Sequence, residues 1–264
     1  MKLPKLCQKT VKLCEHVADF IRKEAESFNV DKVEKKGFND LVSYVDKQAE
    51  MQLVEGLKYL FPEAGFITEE GTVNEKADEY NWIIDPLDGT TNFVHSLPIY
   101  SISVALMQND ELVLGVVYEV NKKEAFHAYK GGGAFCNEKP IKVTPAKTLS
   151  ESLIATGFPY TDFGLTEDYL KVLGSFMGKS HGVRRLGSAA VDLAYVAAGR
   201  FEGFFEFNLN AWDVAAGIII VKEAGGEVSK FTAGGDPVFG REIVASNGAI
   251  HEEMLEVIAE FWKK

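Results

Sequence analysis

The chain has 264 residues, 46% hydrophobic and 25% charged, a composition that supports a sizeable folded core. Its 39 acids against 28 bases leave a net charge of −11, which argues against nucleic acid as a partner. No apolar run approaches the roughly 20 residues that span a bilayer, so no membrane segment is expected either.

The start, MKLPKLCQKTVKLCEHVADF, is broken by lysines and reads as no signal peptide. Three cysteines (Cys7, Cys14, Cys136) form no even disulfide framework, and the expected location is the cytoplasm. Cys7, Val11, Cys14, Ala18 and Ile21 recur in steps of four and three, predicting a helix with one buried face, which makes the first two cysteines core residues. A second helix is predicted over 43–60, with Val45, Ala49, Leu53, Leu57 and Leu60 inward and Pro62 as its stop. The period then changes. GFIT (65–68), WIID (82–85), the run from Ile99 to Met107, LVLGVVYEV (112–120) and EAFHAYK (124–130) read as strands. Asn109-Asp110 and Asn121-Lys122 read as antiparallel hairpin turns between them.

The second half alternates. Strands are predicted at SLIATGF (152–158), GVRRL (182–186), FEGFFEF (201–207), EVSKFT (227–232) and EIVAS (242–246). Helices are predicted over 166–177, 188–199, 211–226 and 251–262. This is an α/β or α+β layered sandwich, one unit over 1–264 built of two packed lobes, about 1–150 and 151–264.

The acids fall at strand ends. WIIDPLDGTTNF places Asp85 and Asp88 after an apolar run, with Pro86 expected to fix the strand exit; a turn, a helix cap and a site for charge all suit such a segment. Glu69 and Glu70 close GFITEE, and Asp213 opens a helix after FEGFFEF. If those ends share one edge, three or four carboxylates meet, and they need protons or cations between them. All-oxygen ligation selects Mg²⁺ above Ca²⁺ or Mn²⁺. The five histidines (16, 95, 127, 181, 251) show no paired spacing, so zinc and iron are not expected, and His95 reads as a loop or helix-surface residue. Gly131-Gly132-Gly133 lacks the Lys-Ser/Thr of a phosphate loop and reads as hairpin material. Mg²⁺ commonly shares its shell with substrate phosphate, so hydrolysis of a phosphate ester is the chemistry these acids suggest.

Glu69-Glu70, then Asp85-Pro86-Leu87-Asp88-Gly89-Thr90-Thr91-Asn92-Phe93, then Trp212-Asp213-Val214-Ala215-Ala216-Gly217 resemble the inositol monophosphatase family in order and spacing. DLVSYVD (40–46), GAFCN (133–137), GFPY (157–160), RLGSAAVDLAYVAAG (185–199) and FFEF (204–207) extend the resemblance over nearly the whole chain. It implies the α-β-α-β-α five-layer fold of the sugar phosphatases, usually a homodimer, and a Mg²⁺-dependent, lithium-sensitive phosphomonoesterase.

Carried over by position, the resemblance implies two Mg²⁺ ions, or three. Glu69, Asp85 and the Leu87 carbonyl would serve the first, and Asp85, Asp88 and Asp213 the second. Thr90 would act with Glu69 on the attacking water, with Asp46 behind the threonine hydroxyl. The threonines could equally be helix caps, and Asp46 could lie on a solvated helix face. Substrate contacts would come from Asp88, Gly89, Thr90, Gly187, Ser188, Ala189, Glu206 and Asp213. Glu206 suits the hydroxyls of a polyol but could be an exposed strand residue, and Gly187-Ser188 is also a strand-to-helix turn with a serine cap. Arg184 and Arg185 have surface ion pairing as their default reading.

The implied substrate is an inositol monophosphate, a small phosphorylated polyol. The rivals are fructose 1,6-bisphosphate, NADP, histidinol phosphate and 3′-phosphoadenosine nucleotides. A rival of another class is a regulatory protein-binding role, since some bacterial relatives are linked to RNA polymerase or ribosome assembly.

Overall fold

Residues 2–28, 33–35, 41–73, 75–159, 163–232 and 234–262 are described by the computed structural model; Met1, Asp40 and Tyr160 of the segments quoted above lie outside them. Helix α1 (Leu3–Glu26) carries the predicted four-and-three stripe, with Cys7, Cys14, Ala18 and Ile21 buried. After the short pair β1 (Val33–Lys35) and β2 (Leu41–Ser43), α2 (Tyr44–Leu60) starts at a capping box. The Ser43 hydroxyl accepts the Val45 N–H, and Asp46 accepts the Ser43 N–H.

A seven-stranded sheet follows in spatial order β3 (Gly65–Thr68), β4 (Tyr80–Asp88), β5 (Ser101–Gln108), β6 (Glu111–Glu119), β7 (Glu124–Tyr129), β8 (Ala134–Cys136), β9 (Lys139–Ile141). Only β3 and β4 run parallel, and the two predicted hairpins are both present. The short helix α3 (Thr90–Val94) stands between β4 and β5.

The second sheet is mixed. Its members are β10 (Leu153–Thr156), β11 (Gly182–Arg184), β12 (Gly203–Phe207), β13 (Glu227–Ser229) and β14 (Glu242–Ser246), in the order β11-β10-β12-β14-β13. The helices are α4 (Thr166–Lys179), α5 (Ala189–Ala197), α6 (Ala211–Glu223) and α7 (His251–Phe261). GVRRL is a strand only to Arg184, because Arg185 and Leu186 turn away toward α5.

Three hydrophobic clusters reveal five layers. Trp82, Ile84, Ile102 and Val104 pack one face of the large sheet on α1 and α2. Ile83, Ala105 and Val117, from its other face, pack on α5 and α6, which also meet Phe204 and Ile243 of the small sheet. Phe205 and Val244 face the opposite way, onto Phe176 of α4 and Met254 and Ile258 of α7. The order is helix, sheet, helix, sheet, helix, as the resemblance implied. α5 and α6 are apolar almost all round, as helices enclosed between two sheets must be.

Strand alternation then fixes where side chains point. Asp85 has the parity of Ile83, and Glu206 that of Phe204, so both face the central helical layer from opposite sheets. No described helix is long and apolar enough to cross a membrane.

Candidate active site

Asp85 and Asp88 are three residues apart, a spacing that on a regular strand sends side chains to opposite faces. β4 overcomes this with a bulge. Asp85 pairs with Ser103 and Asp88 with Ser101, so three steps on β4 oppose two on β5. The expected strand exit at Pro86 is therefore corrected: the strand continues to Asp88. Pro86 sits in the irregular stretch, where its missing N–H costs no ladder bond. The Leu87 N–H turns to the Asp85 carboxylate at 2.9 Å.

Gly89 comes next in the left-handed region, at φ 97°, and opens α3. A Cβ here would also stand 3.1 Å from the Gly187 carbonyl oxygen. Because Gly89 holds the cap position, Thr90 is not a cap. Its hydroxyl lies 2.9 Å from Asp46 Oδ1 and 3.0 Å from the Leu87 carbonyl oxygen. Asp46 is fully buried rather than solvated, and its Oδ2 accepts the Ser43 N–H at 2.8 Å and the Ser43 hydroxyl at 2.6 Å. Burial raises the Asp46 carboxyl above its ordinary value, against the lowering pull of those bonds.

From the second half of the chain, two helix N-termini reach the same place. Asp213, in the first turn of α6, accepts the Asn210 N–H at 2.6 Å. Ser188 caps α5, accepting the Val191 N–H at 3.4 Å, and donates its hydroxyl to Asp88 at 2.5 Å; the Ala190 N–H reaches the same Asp88 oxygen at 2.8 Å. The α5 N-terminus thus holds an acid of β4. Ser188 and Ala189, expected as substrate contacts, line the cavity and also serve Asp88.

One cavity of about 190 Å³ collects Glu69, Asp85, Leu87, Asp88, Gly89, Thr90, Gly187, Ser188, Ala189, Glu206 and Asp213. Every expected site residue lines it except Asp46, which stands behind Thr90. Asp85, Asp88 and Asp213 offer oxygens within 4.8 Å of one another. The Asp85 carboxyl is pushed well above the ordinary range, first by burial, then by Glu69, Asp88 and Asp213. Asp88 is raised to about 6, by burial, against hydrogen bonds from Ser188, Ala190 and Ala189 and the charge of Arg185. Buried acids that repel at this range fit a divalent cation with hard oxygen ligands, so the donor set suits Mg²⁺.

Glu206 is 7% exposed, which removes its reading as an exposed strand residue. Its carboxyl occupies the space a Cβ at Gly157 would need, 2.1 Å away, so a larger residue in the GFPY segment at that point would have to push this carboxyl aside. Arg184 is exposed, whereas Arg185 lines the cavity, with its guanidinium 5.8 Å from the Phe158 ring. His95 is exposed at the end of α3. The Gly131 and Gly133 N–H groups do cradle an anion, but it is the protein's own Glu223, at 2.8 and 2.9 Å.

Two residues escaped the sequence reading. Asp192 lines the cavity, 1% exposed, on α5. Glu50 on α2 is fully buried and accepts hydrogen bonds from the Glu70 N–H (2.8 Å), the Thr72 N–H (2.8 Å) and the Thr72 hydroxyl (2.7 Å). The available signal was a charged residue at helical spacing from buried apolar ones, which is rare unless paired or functional.

The model of the inositol monophosphatase family matches residues 4–263. A Neisseria meningitidis protein named putative Nus factor SuhB is 42% identical, covering 94% of this chain and 95% of its own length. An inositol-1-monophosphatase of Rhizobium meliloti is 45% identical over 84% of each chain. Among solved structures, the extragenic suppressor protein suhB of Bartonella henselae superposes with a TM-score of 0.89 at 36% identity, covering 95% of this chain and 97% of its own. An IMPase/NADP phosphatase complexed with Mg²⁺ and phosphate superposes with a TM-score of 0.84 at 25% identity, covering 97% and 96%. With its fold, acid cluster and full-length match agreeing, this chain belongs to the inositol monophosphatase family.

Proposed function

We propose that the protein hydrolyses inositol monophosphates to inositol and phosphate, using Mg²⁺ held by its acid cluster. The observation that carries this reading is the single cavity that joins Asp85, Asp88 and Asp213 to Glu206, so that cation-binding and hydroxyl-binding carboxylates sit side by side. Glu69, Asp85 and the Leu87 carbonyl would hold one ion, and Asp85, Asp88 and Asp213 a second. Bound there, Mg²⁺ supplies positive charge for the phosphate oxygens and makes a coordinated water more acidic.

The chain's own groups arrange the rest. Thr90 has one hydroxyl hydrogen, and giving it to Asp46 leaves the oxygen lone pairs to accept a hydrogen from water. Glu69, beside Asp85 on the cavity wall, takes the water's proton. Glu206 accepts hydrogen bonds from ring hydroxyls of the departing alcohol. Phosphate release should be measured over a panel of inositol 1-phosphate, fructose 1,6-bisphosphate, NADP, histidinol phosphate and 3′-phosphoadenosine 5′-phosphate, with and without Mg²⁺. Inositol 1-phosphate is expected to show the highest kcat/KM, and millimolar Li⁺ to inhibit. A different leader in the panel would replace this substrate.

A second reading comes from the 42% identity to a protein named a putative Nus factor, which favours an added protein-binding role. Stoichiometric capture of RNA polymerase by a purified protein that releases no phosphate from any ester would make that role the primary one.

A further inference from the structure

We propose that Asp192 determines specificity: its carboxyl joins that of Glu206 as a two-acid seat for neighbouring hydroxyls of the alcohol half of the ester. This deepens the substrate reading above and rests on it. Asp192 sits in the first turn of α5, a favourable end for an acid, but the helix around it is apolar. All its companions on α5 from Ala189 to Ala197 are buried and none of them is charged, and its own N–H is spent on the Ser188 carbonyl at 3.0 Å. Among the described residues no group donates a hydrogen bond to Asp192 Oδ1, though the side chain is buried on the cavity wall. Buried acceptors almost always have partners, so a donor is missing at this point.

The cavity indicates what donor would fit. Glu206 comes from the facing sheet and is the charge that acts most strongly on Asp192, while Arg185 on the same wall offsets both acids. Two carboxyl groups on the walls of one cavity can each accept two hydroxyl hydrogens, which matches neighbouring hydroxyls on a neutral ring. An ester whose alcohol half carries no further hydroxyl would leave both acids unpaired, and a second phosphate would meet like charge. The seat therefore favours a polyol monophosphate over an aryl phosphate and over a bisphosphate. A site built to bond a hydroxyl discriminates strongly against analogues that lack it.

The test is the ratio of kcat/KM for inositol 1-phosphate to that for p-nitrophenyl phosphate, at saturating Mg²⁺, for the unaltered enzyme and Asp192→Asn. The unaltered enzyme is expected to prefer the polyol ester, and the substitution to lower the ratio by about tenfold or more, mainly through KM. Relative activity toward fructose 1,6-bisphosphate is expected to rise in the same variant. A preference that Asp192→Asn leaves within about threefold overturns this inference alone. An unaltered enzyme with no preference for the polyol ester overturns the substrate reading and this inference with it. Circular dichroism and the melting temperature check the fold, and Asp192→Ser, smaller and also neutral, carries the same measurement if asparagine costs the fold.

Discussion

Asp213 spends one carboxylate oxygen on the Asn210 N–H and approaches Asp85 and Asp88 within 4.8 Å. Asp213→Asn keeps the shape and an oxygen for the cap, but removes the charge that a cation in this cluster requires. Turnover is expected to fall by several orders of magnitude, with the circular dichroism spectrum unchanged and Mg²⁺ affinity by calorimetry strongly reduced. Near-normal activity at ordinary Mg²⁺ would remove Asp213 from the metal site. Thr90 makes a different prediction, because its hydroxyl contacts Asp46 and the Leu87 carbonyl rather than the acid cluster. Thr90→Ala should lower kcat by about a hundredfold while leaving the Mg²⁺ dependence intact. Equal loss of Mg²⁺ affinity would instead place the hydroxyl in the metal shell. These residues were legible in sequence because D-P-L-D-G-T-T-N-F and W-D compress the acid chemistry into short runs. Asp192 and Glu50 were not, since each lies within a helix outside any motif and its meaning depends on which element packs against it.

At the level of elements, the turn after β3 shows how the acids are held. Glu69 follows the parallel edge strand, its N–H bonded to the Ile84 carbonyl at 3.2 Å, and Glu70 and Thr72 just beyond it are fastened from α2 by Glu50. Thr68 closes the same turn, its hydroxyl donating to the Val73 carbonyl at 3.0 Å. Glu50→Ala would leave three donors without their acceptor, at about 1–3 kcal/mol for each one that stays buried. The expected result is a lower melting temperature together with a Mg²⁺ requirement raised by about tenfold, while kcat at saturating Mg²⁺ changes little. Glu50→Gln, which keeps one acceptor oxygen, should fall between. A lower melting temperature with an unmoved Mg²⁺ titration would mean that Glu50 only stabilises the fold.

The elements themselves were mostly readable, since α1 carries a clean helical stripe and β6 is a run rich in aliphatic and β-branched residues, buried from Val113 onward. The bulge in β4 was not. Its register is set by pairing with β5, which no local pattern encodes, and Pro86 looked like an end when it is the residue the bulge tolerates. The three-residue strands β8 and β9 were missed for a related reason: they are too short for alternation to show.

Across the whole molecule, four buried acids (Asp85, Asp88, Asp192 and Glu206) and the half-buried Asp213 converge on the middle layer from two sheets and two helices, and their mutual repulsion is a cost that a cation relieves. Asp85, Asp88, Asp192 and Glu206 are all held above their ordinary values, burial being the leading cause for each. An acid raised in the folded state binds its proton more tightly there than in the unfolded chain. Its stabilising effect is complete below the unfolded value, near 4, and is lost as pH rises through the folded value, about 6 for Asp88. Metal-free protein should therefore lose stability from this cluster as pH climbs. Two histidines, His251 buried and His127 half-buried, work in the other direction. His127 and His251 are lowered by burial, so each destabilises the fold as pH falls through the ordinary histidine value near 6.5. Glu124, lowered by its hydrogen bond to Arg200, acts only at more acid pH. Comparing samples with and without Mg²⁺ at the same pH cancels these contributions. The gain from the ion follows mass action, about 2.7 kcal/mol at a hundredfold excess over Kd, and Kd itself tightens once protons no longer compete for the carboxylates. The Mg²⁺-induced rise in melting temperature is thus expected to grow steadily from about pH 5 to about pH 8. Differential scanning calorimetry of chelated and Mg²⁺-loaded protein across that range decides the matter. A rise that stays constant with pH would show that the ion does not take the place of protons on these acids.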